Sequence, residues 1–275
     1  MVRTVDPITE QLFDDGAAHV LSNLSLAVPA GLTKYTGLNK FGRATDADAG
    51  VLTDIWDGSN STTAQPIWLA PTAARIHSIV STNAADDGNP AGVGANTLQI
   101  YGLQTWGSQE TSELITLEGE TPVNTVNSYV IIHRMKVLTW GASGPNLGVI
   151  SATAAVDATL TAQINALEGQ TQMAIYGIPT GVSLFMSQYY GSINKAVKTA
   201  GADMRLVINT IPDQVTTGFI IKHTLGAVSE GSGAVSHPFN PYFKIEGPAI
   251  IKVQTTTDTA NSAADGGFDG FLKAA

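Results

Sequence analysis

Residues 175–206 read IYGIPTGVSLFMSQYYGSINKAVKTAGADMRL. Ile175–Ile178 and Ser183–Ile193 are rich in β-branched and aromatic residues, which suits a pleated surface. Pro179-Thr180-Gly181 between them is turn chemistry: Pro sets φ, and Gly takes the conformation other residues avoid. A loop over 194–202 leads to a third strand from Met204. An earlier stretch, Ile67 to Leu98, has the same plan 108 positions upstream. Ile67, Pro71, Thr72 and Leu98 align with Ile175, Pro179, Thr180 and Leu206, and Trp68 and Ile76 face Tyr176 and Leu184. The offset carries Thr116-Leu117 onto Thr224-Leu225 and Lys136-Val137 onto Lys244-Ile245. One offset over four separated segments suggests a duplicated β unit.

Working outward, residues 67–162 supply strand candidates at Arg75–Ser81, Thr97–Gly102, Glu113–Glu118, Ser128–Trp140 and Gly148–Ala154. Residues 163–275 supply Met173–Ile178, Ser183–Ile193, Met204–Thr210, Gly218–Leu225, Tyr242–Glu246, Ile250–Thr256 and Gly267–Leu272. Turn clusters such as Asp86-Asp87-Gly88-Asn89-Pro90 separate them. Short strands without long amphipathic helices predict an all-β chain of two tandem antiparallel β-sandwich (jelly-roll-like) lobes. Residues 1–66 differ. One short helix is expected around Ala17–Leu24, with Asp14-Asp15 near its start and Pro29 beyond its end. After it, repeated glycines and isolated large apolar residues predict an extended N-terminal arm. Tyr35, Phe41, Ile55 and Trp56 are its candidate interface anchors, because interface energy concentrates in aromatic residues. They anchor either on the chain's own lobes or on a neighbouring subunit.

The bulk numbers narrow the function. The 275 residues suffice for two domains. Charged residues make up 13%, about half the usual share, which fits a surface packed against neighbours. The net charge of −9 and the absence of a basic stripe argue against nucleic acid and anionic membranes as partners. With no cysteine, disulfides, thiolate zinc sites and cysteine nucleophiles are excluded. No leader-type apolar region is visible near Met1, and no run reaches the roughly 18 apolar residues of a membrane helix.

A search for catalytic motifs yields little, so no enzyme activity, cofactor or metal is expected. Gly92-Val93-Gly94 starts like a dinucleotide loop but lacks the third Gly and a helix. His19, His77, His133, His223 and His237 show no local metal spacing. His77 and His133 would form a site only by converging in space. Asp46, Asp48, Asp54 and Asp57 faintly resemble a calcium loop without its bidentate Glu, so a bound calcium ion stays open. Glu113, Glu118 and Glu120, with Trp106, Trp140, Tyr189 and Tyr190, are the residues a glycan site would draw on.

Several phrases together resemble a class of tailed-bacteriophage virion proteins. They include Phe41-Gly42-Arg43, Asp54-Ile55-Trp56-Asp57-Gly58, Leu98-Gln99-Ile100-Tyr101-Gly102-Leu103, Glu113-Leu114-Ile115-Thr116-Leu117-Glu118-Gly119-Glu120, Lys222-His223-Thr224-Leu225 and Phe239-Asn240-Pro241-Tyr242. Capsid cement (decoration) proteins of these phages are similar in build. The resemblance implies a structural protein made in the host cytoplasm and seated on the capsid surface of the virion. It further implies a homotrimer bridging major capsid protein subunits, with no catalytic residue. The alternatives are a tail, neck or fibre-base protein and, from another class, a carbohydrate-binding or glycan-active module at the host surface.

Overall fold

A computed structural model describes residues 27–29, 31, 34–60, 63–194, 200–229 and 233–274. The helix expected around Ala17–Leu24 lies outside them. The described chain is essentially all β and built of antiparallel sheets, as the strand spacing predicts. Its strands are β1 (Tyr35–Ala47), β2 (Thr53–Asp54), β3 (His77–Ser81), β4 (Ala95–Leu103), β5 (Thr111–Thr116), β6 (Val123–Asn124), β7 (Ile131–Trp140) and β8 (Ile150–Ala154). They continue with β9 (Leu160–Ile164), β10 (Ile175–Ile178), β11 (Val182–Asn194), β12 (Gly201–Asn209), β13 (Ile220–Val228), β14 (Ala234–Glu246), β15 (Ala249–Thr257) and β16 (Ser262–Ala274).

Four sheets form. Two have the orders β1-β16-β11-β14 and β10-β15-β12-β13, with β2 also on β15; two have the orders β6-β3-β8-β9 and β5-β4-β7. The pairing pattern occurs twice. β11 pairs with β14 and β16 while β12 pairs with β13 and β15; likewise β3 pairs with β6 and β8 while β4 pairs with β5 and β7. The constant offset of 108 does not hold throughout. Lys136-Val137 lies on β7 and Lys244-Ile245 on β14, and the pairing pattern makes β15 the counterpart of β7. Connections of different length have shifted the later strands.

Residues 35–54 are not an arm laid over a surface. β1 runs antiparallel to β16 from Tyr35↔Lys273 to Ala47↔Ser262, and β2 pairs with β15 through Asp54↔Gln254. Within β1, Gly42 serves close packing. A Cβ on Gly42 would lie 2.4 Å from the Ile55 carbonyl oxygen and 2.5 Å from the Ala174 nitrogen, so only glycine lets these backbones meet.

Two large hydrophobic clusters fill the space between sheets. One gathers Trp68, Ile79, Leu98, Ile100, Tyr129, Ile131 and Ile164. The other gathers Leu184, Met186, Tyr189, Leu206, Ile251, Val253 and Phe268. Strand alternation feeds both from one strand: Ile250 belongs to the first cluster, Ile251 and Val253 to the second. Ile55 and Trp56 do the same, as consecutive residues fully buried in opposite clusters.

Candidate functional site

The four anchors separate. Ile55 and Trp56 are buried within the chain, and the Trp56 indole N–H donates to the Gln65 carbonyl at 3.2 Å. Tyr35 packs edge-on against Phe185, beside Val28, Tyr242 and Phe271. Phe41 is 38% exposed and points outward from β1. Exposed apolar side chains occur at many points of the chain, and five of them lie close together in sequence. Ile220, Ile221 and Val228 on β13, and Ile211 and Val215 on the connection before it, are all exposed. Among the described residues β13 pairs only with β12 and β14 only with β11, so each is a sheet edge there. Both are poorly covered along their length. A ring cluster closes the gap between them: His223 stacks on His237 with centroids 3.9 Å apart, Phe239 lies 4.9 Å from His237, and the Tyr189 hydroxyl meets His223 Nδ1 at 2.8 Å.

A second feature is a cleft of about 450 Å³ lined by β1 together with Tyr101, Glu110, His133, Arg134, Gln170 and Tyr176. Alternation along β1 turns Leu38, Lys40, Gly42 and Ala44 inward and Asn39, Phe41 and Thr45 outward. Lys40 is therefore a buried lysine, and its Nζ donates to the His133 carbonyl at 2.5 Å. Burial pushes its pKa down to about 7, helped by the Arg134 charge and opposed by Glu110. His133 is buried and held neutral by loss of solvation, which outweighs the pull of Glu110. In that state its Nε2–H donates to Glu110 Oε2 at 2.6 Å, and its buried Nδ1 lone pair has no hydrogen-bond partner. The Tyr176 hydroxyl donates to the same Glu110 oxygen at 3.4 Å, and the two rings lie 4.4 Å apart. On the rim, the Arg134 guanidinium donates to Gln170 Oε1 at 3.2 Å and sits over the Tyr101 ring. The signal for Lys40 was the alternation in Leu38-Asn39-Lys40-Phe41-Gly42-Arg43-Ala44, which assigns the lysine to the apolar face. Glu110, in the coil before β5, carries no such signal.

The other sequence candidates do not converge. His77 packs against Tyr129, while His133 packs against Tyr176. Glu113 is occupied by the backbone N–H groups of Val126 and Asn127 and by the Tyr129 hydroxyl. Of the aspartates, Asp54 faces Lys252 and Gln254. Among the described residues no group of three or more His, Asp or Glu is placed to hold a metal ion. Asp57 accepts from the Gln172 N–H at 2.7 Å and from Asn165 Nδ2 at 3.1 Å, and shares a hydrogen bond with Glu168.

That carboxyl pair has a pH signature. Burial, then the Glu168 charge, pushes Asp57 up to about 9. A raised folded-state pKa contributes stability that is full below the unfolded value near 4 and lost as pH rises through the folded one. Melting temperature should therefore fall from neutral pH toward about 9. Glu168→Gln keeps a hydrogen-bonding group without the charge, so its melting temperature should exceed that of the parent at pH 9 and converge with it at pH 5. A parallel pair of melting curves would refute the assignment of the raised Asp57 pKa to the Glu168 charge.

No family model matches the chain, and no curated protein does.

Proposed function

We propose that this chain is a structural component of a tailed-phage particle, a capsid cement protein that assembles as a homotrimer and bridges major capsid subunits. The observation that carries the reading is the exposure of β13 and β14. Long, poorly covered edge strands bearing exposed Ile220, Ile221 and Val228 are what a protein acting alone avoids, since open edges recruit further strands. In a protein that works by covering its neighbours, such edges are the working surface.

The strand orders support the same reading. With β1 counted first and β10 to β16 second to eighth, two sheets read 1-8-3-6 and 2-7-4-5. We read this as a jelly roll, an architecture used in viral capsid domains. Strands β3 to β8 repeat positions three to eight, with β9 taking the place of the first strand. The chain on this reading is two jelly-roll lobes, one inserted after the first strand of the other. A standard interface buries about 1,600 Å² in total. The apolar part contributes about 25 cal/mol per Å², a gain that ordering costs reduce.

The test compares the parent with an Ile220→Lys/Ile221→Lys double variant. Light scattering should give the parent a mass near three times the 28.6 kDa of one chain and the variant a lower one. Because both side chains are exposed, the melting temperature of the isolated protomer should hardly move. Retention on purified heads should fall at least tenfold, which is about 1.4 kcal/mol. A parent that is monomeric and absent from heads sinks the reading. Recovery with tails moves the protein to the tail or neck, and glycan-array binding supports the glycan alternative. Deleting residues 1–26 leaves every described strand in place, so it isolates any contribution of that segment, whereas deletion to residue 60 would remove β1 and β2.

A further inference from the structure

We propose that the cleft beside β1 is a binding site for small carbonyl compounds carrying an anionic group, and that Lys40 captures them as an imine. This goes beyond the structural role proposed above and does not depend on it. Three observations carry it. First, the cleft has the volume of a small-molecule pocket, about 450 Å³. Second, Lys40 is placed as a nucleophile, not as a structural cation. It is 7% exposed, and its one hydrogen bond goes to a neutral carbonyl. Among the described residues no carboxylate comes within ion-pair distance of it. A buried ammonium lacking a counterion favours its neutral form, and the neutral amine is the reactive one. Third, the neighbours supply the remaining chemistry. Glu110, held on one side by His133, has a side chain 42% exposed and lines the same cleft. Arg134, on the rim above Tyr101, gives an anionic substituent a cation to pair with.

The step balances without any redox partner. The Lys40 lone pair adds to the carbonyl carbon as the C=O π pair moves to oxygen. The nitrogen gives one proton to Glu110, which passes it to that oxygen and leaves a neutral carbinolamine. The nitrogen lone pair then forms the C=N bond as hydroxide leaves, and the second nitrogen proton, taken by Glu110, converts that hydroxide to water. Amine and aldehyde thus become imine and water.

The test uses pyridoxal 5′-phosphate as an anionic aldehyde on the full-length protein. Imines are trapped with borohydride, and the modified lysines are quantified by peptide mass spectrometry. At pH 7, Lys40 should be modified at least tenfold more than the exposed Lys222 and Lys244. Arg134→Gln, an exposed change, should reduce Lys40 modification severalfold, and pyridoxal lacking the phosphate should react less. Lys40→Met should remove that modified peptide while leaving a cooperative melt, since Met fills the site without a charge. Lys40 modification no greater than that of Lys222 and Lys244, or indifferent to Arg134, overturns the proposal.

Discussion

Replacing Asp86 with alanine should destabilise the fold by about 4 kcal/mol, several times the cost of an ordinary surface substitution. The side chain is fully buried and accepts four hydrogen bonds. Oδ1 takes the backbone N–H groups of Ala95 and Leu147, both at 2.8 Å. Oδ2 takes the Gly148 N–H at 2.8 Å and the Ser81 hydroxyl at 2.6 Å. One carboxylate thereby ties the end of β3 to the start of β4 and to the loop entering β8. Alanine strands three amides at once, two of them buried and one partly buried, a buried one costing about 1–3 kcal/mol until water reaches it. Asn is no rescue, because its amide group would point a donor at donors. Ser81→Ala removes one donor and should cost only about 1 kcal/mol. Denaturant titrations at unchanged m-value check the ranking. An Asp86→Ala protein within about 1 kcal/mol of the parent would show that the carboxylate is dispensable.

Asp86 also shows where the sequence was readable and where it was not. Asp86-Asp87-Gly88-Asn89-Pro90 was legible as a turn because its chemistry is local. The meaning of Gly92-Val93-Gly94 was not. A Cβ on Gly94 would sit 2.1 Å from Asp86 Oδ1, so this glycine makes room for a carboxylate eight residues earlier. The strand candidates with β-branched alternation were found for the same local reason. β1 escaped because its order comes from β16, more than 200 residues away, and its Gly42 answers to neighbouring backbone. β9 also escaped, lying in an Ala- and Thr-rich stretch with weak periodicity. Ile55 and Trp56 were recognisable as anchors, but no local pattern could show that what they anchor is this chain's own two cores. The cleft needed β1 in place before Lys40 could meet His133.

The second large effect is expected at a buried ion pair, and it should depend on pH. Lys252, an interior residue of β15, places Nζ 2.6 Å from Asp54 Oδ2, with neither side chain more than 2% exposed. Gln254 Nε2 donates to Asp54 Oδ1 at 2.8 Å and the Trp68 N–H to Oδ2 at 2.7 Å. The ammonium also lies 4.2 Å from the Phe219 ring centroid. Lys252→Met removes one partner and leaves a carboxylate in a dry site, which costs about 3–5 kcal/mol at neutral pH. Burial pushes Asp54 above its ordinary value, while Lys252, Gln254 and the Trp68 amide pull it back. Without Lys252 the upward push is less opposed. A raised carboxyl pKa gives stability that is complete below the unfolded value, near 4, and lost as pH rises through the folded one. The deficit of Lys252→Met should therefore be small near pH 4 and grow toward pH 7. Adding Asp54→Asn removes the stranded charge, so the double variant should be more stable than Lys252→Met alone at pH 7 and lose most of that advantage at pH 4. A deficit that ignores pH would mean the lysine contributes through its methylenes and the Phe219 face, with the charge pair making no net contribution.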